Sequence, residues 1–388
     1  RAERIFKIGM KYIPYARQSI DAKDIKAVID VLRSDYITQG PKVHEFEKKV
    51  ADYCGAKYAV ALNSGTSALH AACFVAGISK GDEAITSAIS FAASSNCILY
   101  CGGKPRFSDI LEDTVTIDPH SIKKLINKKT KAIIPVDFAG HPAELKEIKN
   151  LAEKHGLIVI EDAAHALGAE YKGSRIGSCK YSDMTILSFH AVKHITTGEG
   201  GMVLTNRKDF YDKLIMFRSH GITRNKRLLI NKNKMEWFYE MQFLGFNYRI
   251  TDIQCALGLS QMDKLDDFVE RRRQIAMFYK EGFKDMQGII CLNERKHAMS
   301  SWHIFPMRVI KNRDKIFDIF RTKGIGVNLH YIPVYLHPYY RKLSYKKGLC
   351  PRAERYYRQT ITLPLHPCMS NADVKRVAQV VKDIFKNL

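Results

Sequence analysis

The sequence lacks the features that mark several large classes of protein. No apolar run approaches the roughly 20 residues that a membrane-spanning helix needs, and no apolar signal core follows the basic start. The nine cysteines are scattered without paired spacing, so we expect neither a disulfide framework nor a metal site. No helix-turn-helix, zinc-finger or RNP pattern is present. We therefore expect a cytoplasmic protein that binds neither membranes nor nucleic acid.

Acidic residues are also scarce relative to basic ones. The 388-residue chain has 62 Lys and Arg against 40 Asp and Glu, a formal net charge of +22. Such an excess favours anionic partners, and a phosphorylated or nucleotide-bearing substrate fits it best. The alternative is an ordinary enzyme with a lysine-rich surface. The length allows a large core and two domains.

Helical and strand patterns alternate from about residue 20 to residue 205. This alternation predicts an α/β fold with a mostly parallel sheet covered by helices. Binding sites in such sheets lie at the carboxyl ends of the strands. The predicted strands are 58–62, 83–86, 104–108, 132–136, 157–161 and 184–189.

The last third of the chain has a different pattern. A long helix is predicted over 252–286, linking a large domain at 1–256 to a smaller C-terminal domain at 257–388. The polar, basic stretch 223–240 is expected to form an exposed loop. Within the smaller domain we expect strands at 303–309 and 326–330 and helices at 315–323 and 371–385.

Two strand ends carry residues that suggest a cofactor. Strand 157–161 delivers Asp162, and strand 184–189 leads into a Gly-rich turn that bears Lys193. Pyridoxal phosphate needs a lysine for its aldehyde and an aspartate that keeps its ring nitrogen protonated. His165, three residues after Asp162, either helps to hold the ring or caps the next turn. A solvated loop lysine is the alternative for Lys193.

Two further motifs fit the same cofactor. Gly65 and Thr66 lie where a predicted strand passes into a helix, and the free amides of a helix start favour a phosphate. Ser188, at the end of its strand, can add a hydroxyl. The alternative is plain N-capping by Ser64 or Thr66. Phe91 either stacks on the pyridine ring or is an ordinary core phenylalanine.

Two segments offer polar groups without a clear partner. Asn247 and Arg249 lie in an aromatic and apolar stretch, where Arg249 either clamps an anion or forms an ion pair with Asp252. The stretch 328–340 is rich in aromatic residues and histidines and contains two prolines, so we expect a rigid loop. Such a loop either embraces a sugar or base or packs at the domain interface.

With these residues in hand, the chain resembles the DegT/DnrJ/EryC1/StrS family of sugar-nucleotide aminotransferases over nearly its whole length. The resemblance implies the fold type I architecture of pyridoxal phosphate enzymes. In that architecture a large domain holds a mostly parallel seven-stranded sheet, and a smaller C-terminal α+β domain follows. The segments that carry the resemblance are 13–15, 36–40, 188–193, 245–254 and 330–331.

The resemblance also implies residue roles around the cofactor. Lys193 would bond to the cofactor aldehyde, Asp162 would pair with the ring nitrogen, and His165 would lie near the phenolic oxygen. Phe91 would stack on the ring. The phosphate would be bound by Gly65, Thr66 and Ser188, with Asn247 of the partner subunit. The nucleotide-sugar pocket would be lined by Tyr15, Tyr36, Thr38, Arg249, Asn328, Leu329, His330 and Tyr331.

The implied activity is amino transfer from glutamate to a nucleotide-linked 4-keto-6-deoxy sugar, in a homodimer with shared active sites. Family members that dehydrate sugars carry His in place of the lysine, so Lys193 favours transamination. Segments such as 136–140 and 330–335 look more like the pseudaminic acid branch, which aminates UDP-4-keto-6-deoxy-N-acetyl-β-L-altrosamine. The alternatives are another UDP- or dTDP-ketosugar aminotransferase, such as the 4-amino-4-deoxyarabinose branch, or a sugar dehydratase.

Overall fold

The computed structural model describes residues 11–231 and 235–386. Within these ranges, no helix is both long and apolar enough to cross a membrane. The strands, in chain order, are β1 (Tyr58–Leu62), β2 (Glu83–Ser87), β3 (Lys104–Ser108), β4 (Thr130–Ile134), β5 (Ile158–Asp162), β6 (Glu170–Tyr171), β7 (Ser174–Arg175), β8 (Met184–Ser188), β9 (Gly201–Thr205), β10 (Ile222–Thr223), β11 (Glu240–Met241), β12 (Ile289–Cys291), β13 (Ala298–Met299), β14 (Phe305–Val309) and β15 (Thr360–Leu363).

The helices cover the sheets and connect the strands. They are α1 (Ala22–Leu32), α2 (Pro41–Cys54), α3 (Gly65–Val75), α4 (Ala93–Tyr100), α5 (Pro119–Leu125), α6 (Leu145–His155), α7 (Lys208–Phe217), α8 (Asp252–Met262), α9 (Leu265–Phe283), α10 (Arg313–Thr322), α11 (Pro338–Lys342), α12 (Pro351–Gln359) and α13 (Asn371–Lys386). Short 3₁₀ turns lie at Phe138–Gly140 and Val334–Leu336.

A seven-stranded sheet forms the centre of the described structure, in the order β1-β9-β8-β5-β4-β2-β3. The neighbours from β8 to β3 are parallel, whereas β9 is antiparallel to both β1 and β8. The predicted mostly parallel seven-stranded sheet is therefore confirmed. Because the parallel strands point the same way, their carboxyl ends lie along one edge of the sheet, as do the residues that follow them.

The sheet is apolar on both faces because helices cover both of them. Successive side chains of a strand point to opposite faces, and β5 places Val159 in one apolar cluster and Ile160 in the other. In the neighbouring strand β8, Leu187 lies in the first cluster and Ile186 in the second. Helix α6 adds its buried stripe to the first cluster. This burial on both sides explains the short continuous apolar runs in the sequence.

A second sheet lies in the C-terminal third, where β14 pairs antiparallel with β12 and β15. Helices α9, α10 and α13 pack against it around Phe305, Phe320 and Val377. The division between 1–256 and 257–388 stays a prediction. Residue 257 lies inside α8, which packs on α1 and α2.

The predicted continuous helix over 252–286 is wrong, because α8 ends at Met262 and α9 begins at Leu265. At the break, Nζ of Lys264 lies 2.6 Å from the buried carboxylate of Asp24 and 2.9 Å from Asp21. These ion pairs hold the junction against α1. Helix α8 packs on α1 and α2, whereas α9 contributes Ile275, Tyr279 and Phe283 to the C-terminal core.

Two other segments differ from their predictions in detail. Segment 326–330 is not a strand, since it pairs only through an isolated bridge between Asn328 and Thr362. The predicted loop 223–240 is closed at its base by the antiparallel pair β10 and β11. Residues 232–234 of that loop lie outside the described residues.

Candidate active site

Lys193 lies in the turn between β8 and β9, at the carboxyl edge of the sheet. The turn is closed by hydrogen bonds from Thr197 N to Phe189 O and from Phe189 N to Gly200 O, at 3.0 and 2.9 Å. The lysine is largely withdrawn from solvent rather than extended into it. Burial lowers the pKa of its amino group to about 8, helped by the charge of Arg272 and opposed by Asp162. A substantial part of the amine is therefore neutral near physiological pH.

Asp162 ends β5, the strand next to β8, and its side chain is buried. Its Oδ2 accepts a hydrogen bond of 2.6 Å from the hydroxyl of Ser94, and its Oδ1 accepts one of 3.2 Å from the amide of Ala164. Burial raises the pKa of the carboxyl, while Ser94, Ala164 and the charge of Lys193 act to lower it. Asp162 thus lies at the end of β5, and Lys193 lies in the turn that follows the neighbouring strand β8.

His165 is buried beside this pair. Its Nε2 lies 3.2 Å from the hydroxyl of Tyr331, and its Nδ1 is a buried nitrogen without a hydrogen-bond partner among the described residues. Burial, followed by the charge of Lys193, holds the pKa of the imidazole well below its usual value. His165 is therefore a neutral ring at physiological pH. Its ring nitrogens do not cap the next turn, which was the alternative.

The start of α3 forms a cradle for an anion. Ser64 caps the helix by accepting from Ser67 N, and the Ser67 hydroxyl returns the contact in a capping box. The amides of Gly65 and Thr66 have no hydrogen-bond acceptor among the described residues. A Cβ added at Gly65 would lie 3.1 Å from Cβ of Ser188 and 3.2 Å from its hydroxyl oxygen. Capping by Ser64 and an open phosphate site thus coexist here.

Glycine is required where β9 passes this cradle. A Cβ added at Gly201 would lie 2.2 Å from the carbonyl oxygen of Ser64, closer than any real contact. The absence of a side chain at residue 201 lets β9 approach the start of α3. The close approach also brings Ser188 beside Gly65, because Ser188 pairs with Gly201.

These residues fit pyridoxal phosphate. The free amides at Gly65 and Thr66 suit the phosphate, the buried Asp162 suits a protonated ring nitrogen, and the buried Nδ1 of His165 has no partner in the described chain. Lys193 supplies an amine whose lowered pKa favours attack on an aldehyde.

Phe91 lies beside the buried cluster but is not a core residue, because its exposed fraction is 62%. Its ring is 6.4 Å from that of Tyr331, so an exposed aromatic face lies beside the group that contains His165. An exposed phenylalanine next to buried polar groups is suited to stacking on a planar ligand.

The segment Asn328–Tyr331 lines the same region from the C-terminal part of the chain. The ring of Tyr15 lies 5.7 Å from that of His330, whose Nδ1 is 2.9 Å from the hydroxyl of Thr362. The side-chain oxygen of Asn328 accepts from Leu329 N. The predicted residues Tyr15, His330 and Tyr331 are thereby brought together with His165.

The remaining predicted residues form a separate group. Thr38 pairs with Thr251, and Asn247 pairs with Ser219, in isolated bridges. Tyr36 is 58% exposed and lines a cavity of about 770 Å³ between α1, α2 and α8. In residues 11–231 and 235–386, no hydrogen bond or ring contact joins Tyr36, Thr38, Asn247 or Arg249 to the cluster around Lys193.

The segment that carries Asn247 and Arg249 nevertheless lies beside the phosphate cradle. The carbonyl of Tyr248 accepts from Asn63 N at 2.9 Å, one residue before Ser64. The carboxylate of Asp252 accepts from the amides of Gly40 and Lys42. Across the described part of the chain, Arg249 forms no ion pair with Asp252, so that alternative for Arg249 is wrong.

Four residues near the site were missed from the sequence. Ser94 donates a hydrogen bond to Asp162. The ring centroid of His303 lies 4.4 Å from that of His165 and 5.5 Å from that of His194. Arg272 is fully buried and donates to the carbonyls of His303 and Leu365. Only Ser94 gave a sequence signal, as a polar residue within a mainly apolar helix, and this signal is weak without knowledge of its partner.

A comparison with known protein families matches residues 18–382 to the DegT/DnrJ/EryC1/StrS aminotransferase family. A relative from Campylobacter jejuni, named UDP-4-amino-4,6-dideoxy-N-acetyl-beta-L-altrosamine transaminase, is 38% identical over 97% of this chain and 98% of its own.

Solved structures with the same fold include Helicobacter pylori PseC, described as an aminotransferase involved in the biosynthesis of pseudoaminic acid. It has a TM-score of 0.90 and 34% identity, and the match covers 97% of this chain and 100% of that one. The PLP-form of the putative sugar aminotransferase Spr1654 from Streptococcus pneumoniae also has a TM-score of 0.90. It is 31% identical, and the match covers 97% of this chain and 99% of that one.

Proposed function

The chain belongs to the DegT/DnrJ/EryC1/StrS aminotransferase family and is a pyridoxal phosphate-dependent aminotransferase of nucleotide sugars, and we propose that it aminates UDP-4-keto-6-deoxy-N-acetyl-β-L-altrosamine with glutamate as the donor. This reaction is a step of pseudaminic acid biosynthesis. The observation that carries the proposal is that Asp162 ends β5 and Lys193 lies in the turn after the adjacent strand β8, at the same edge of the sheet. The named Campylobacter relative supports the choice of sugar.

Bound pyridoxal phosphate supplies an aldehyde that accepts an amino group and a ring that draws electrons from the bond being broken. Lys193 would hold the cofactor at that aldehyde, and its amino group would move a proton at the donor α-carbon. Its Nζ is suited to this role because burial lowers its pKa to about 8, so that the amine can both accept and release a proton near neutral pH. Asp162 holds a proton at the ring nitrogen, and Ser94 orients its carboxylate.

Other residues bind and orient the reactants. Neutral His165, which lies 3.2 Å from the Tyr331 hydroxyl, would contact the phenolic oxygen of the cofactor, and Phe91 would cover one face of the ring. The amides of Gly65 and Thr66 and the Ser188 hydroxyl would bind the phosphate. The segment from Asn328 to Tyr331, together with Tyr15, lines the side from which the sugar enters.

The proposal includes a homodimer in which Asn247, Arg249, Tyr36 and Thr38 of one subunit serve the active site of the other. Among the described residues, no hydrogen bond or ring contact joins these four residues to the cluster around Lys193 of the same chain, which supports this arrangement. Large apolar side chains near them in the sequence are exposed, including Leu32 at 56% and Leu244 at 74%, and a partner subunit would cover them. All nine cysteines are free, which fits the proposed cytoplasmic location.

The alternatives within the family are amination of a different ketosugar and dehydration. The presence of Lys193 in a closed turn favours transamination over dehydration. The proposal is tested by incubating the protein with glutamate and a panel of UDP- and dTDP-4-ketosugars, with mass detection of the amino sugar. We expect the UDP-altrosamine precursor to give the highest kcat/KM. A preference for the arabinose-type ketosugar, or for a dTDP sugar, would contradict the proposed substrate.

A further inference from the structure

Two carboxyl groups are buried directly behind Asp162. Glu161 precedes it in β5 and is 3% exposed, and Asp137 follows β4 and is fully buried. The site described above uses neither residue. Buried carboxyl groups are rare unless they are paired with a cation or hold a proton.

The backbone places these two side chains on the same face of the sheet. Val136 pairs with Asp162 in a parallel bridge, and Asp137 N donates to Asp162 O at 3.1 Å. Because side chains alternate along a strand, Asp137 and Glu161 both point to the face opposite that of Asp162. The pair therefore supports the strand end that carries Asp162 from its other side.

One oxygen of each carboxyl group is already satisfied. Asp137 Oδ1 accepts from Ala143 N at 2.9 Å, and Glu161 Oε2 accepts from the hydroxyls of Ser182 and Thr185 at 2.8 and 2.7 Å. The other oxygens, Asp137 Oδ2 and Glu161 Oε1, are buried without a partner among the described residues if both groups are charged. A proton held between them would satisfy both oxygens.

Among the residues that the structure describes, no Lys, Arg or His forms an ion pair with Asp137 or Glu161. Arg175 and Lys180 line a small cleft with Glu161, but Arg175 donates to Tyr53 O at 2.8 Å and Lys180 to the Ser174 hydroxyl at 3.0 Å. The tyrosines of this cleft are Tyr171, which donates to Glu144, and Tyr181. These groups leave the carboxyl pair without a counter-charge.

The other titratable groups around the pair are acidic. Asp162 acts on Asp137, and the thiols of Cys54 and Cys179 interact with Glu161. Burial, and after it the charge of Glu161, raises the pKa of Asp137 well above its usual range. Burial also raises the pKa of Glu161, although hydrogen bonds from Thr185 and Ser182 oppose it.

We propose that Asp137 and Glu161 share one proton and act together as a positioning pair for Asp162. The shared proton ties the ends of β4 and β5 together behind the carboxylate that faces the cofactor. The shared proton also limits Asp137 and Glu161 to one negative charge between them, so that Asp162 lies beside one negative charge rather than two. The part of this proposal that concerns Asp162 rests on the proposed function, whereas the shared proton does not.

The proton makes stability depend on pH in a defined direction. A carboxyl group has an ordinary pKa of about 4 in the unfolded chain, and a raised pKa in the folded chain means that folding takes up a proton. The resulting stability is fully present below about pH 4 and is lost as pH rises through the folded value. The single variants D137N and E161Q keep a hydrogen bond, since one amide N–H replaces the shared proton. The double variant D137N/E161Q cannot titrate.

The first test measures the proton directly in the cofactor-free protein. Infrared difference spectra at neutral pH should show one protonated buried carboxyl in the wild type and none at this site in D137N/E161Q. In urea unfolding between about pH 5 and 9, the unfolding constant of the wild type should rise relative to the double variant by up to tenfold per pH unit. The matched control is Asp183→Asn, which converts the carboxylate that accepts from Val159 N near the other end of β5 into a neutral amide and should keep the wild-type slope.

The second test concerns Asp162 and uses the cofactor-loaded protein without a nucleotide sugar, so that a wrong substrate does not affect it. E161A and D137A should shift the pH midpoint of the visible cofactor spectrum, and E161Q and D137N should restore it towards the wild type. If an alanine variant does not fold, the amide variants and the infrared signal still test whether Asp137 and Glu161 share a proton. The shared proton would be overturned if no protonated carboxyl is seen and the unfolding constants of the wild type and D137N/E161Q depend on pH in the same way. The positioning role would be overturned if the folded alanine variants keep the wild-type midpoint.

Discussion

The hydroxyl of Ser94 donates a hydrogen bond of 2.6 Å to Oδ2 of Asp162, and this contact joins α4 to the carboxyl end of β5. The other oxygen of Asp162 accepts from the amide of Ala164. The carboxylate is therefore held at both oxygens while it is buried. Such a carboxylate is rigid, and it can face a ring nitrogen without reorganising during the reaction.

Replacing Ser94 by alanine should weaken catalysis while the protein still folds and binds its cofactor. A hydrogen bond to a charged group contributes about 1.5–3 kcal/mol, and its loss should let Asp162 rotate away from the cofactor. We expect kcat to fall by about tenfold, or ~1.4 kcal/mol in the activation barrier, with the cofactor still bound. The control is Ser95→Ala, because Ser95 donates to Ala92 O and contacts Tyr340 rather than Asp162. Equal kinetics for the two variants would contradict the assigned role of Ser94.

Replacing Asp162 by asparagine should leave some cofactor bound but remove most activity. The ring nitrogen would lose the anion that keeps it protonated, and electrons would no longer be drawn from the reacting carbon. We expect a loss of several factors of ten in rate, at ~1.4 kcal/mol each, measured as single-turnover amino transfer from glutamate. Turnover near the wild-type rate would remove Asp162 from the site.

Uptake of the cofactor should depend on pH through Lys193. Only the neutral amine attacks an aldehyde, and burial lowers the pKa of Lys193 to about 8. The rate of covalent attachment to the cofactor-free protein, followed by visible absorbance, should therefore rise with pH and reach half its maximum near pH 8. A midpoint near about 10, as for a solvated lysine, would show that the turn does not bury the amine.

Mixed dimers should recover activity if the sites are shared. A subunit with Lys193→Ala and a subunit with Asn247→Ala/Arg249→Ala are each expected to be inactive as homodimers. A heterodimer pairs one intact lysine with one intact Asn247 and Arg249, so that one of its two sites is complete. Subunit exchange is checked with differently tagged chains. Isolated heterodimers without turnover would indicate that Asn247 and Arg249 serve their own subunit.

The strand ends were predictable from the sequence because they depend on local patterns. Short apolar runs followed by Asp162 and Ser188 mark the carboxyl edge of a parallel sheet, and these two residues do end β5 and β8. Strand β9 was missed, because it follows a Gly-rich turn and runs antiparallel to its neighbours. The break between α8 and α9 was also missed, since the ion pair from Lys264 to Asp24 joins residues 240 positions apart.

The partners of the site residues could not be predicted from local patterns. Ser94 meets Asp162 across 68 positions, and Tyr331 meets His165 across 166. Neither serine nor tyrosine is distinctive by itself, so only the fold reveals these contacts. Glu161 and Asp137 were not predictable for the same reason. In the sequence they are ordinary polar residues near the ends of two strands, and only the structure shows that they are buried.

The central claim, that Lys193 is the residue to which pyridoxal phosphate is attached, is tested most directly by reductive labelling. The loaded protein is treated with borohydride and digested, and the peptides are mapped by mass spectrometry, with Lys193→Ala and the exposed-site variant Lys172→Ala in parallel. We predict a visible absorbance band and a stable cofactor label on Lys193 in the wild type and in Lys172→Ala, and neither the band nor amino transfer in Lys193→Ala. A label on another lysine, or transamination near the wild-type rate in Lys193→Ala, would contradict the account.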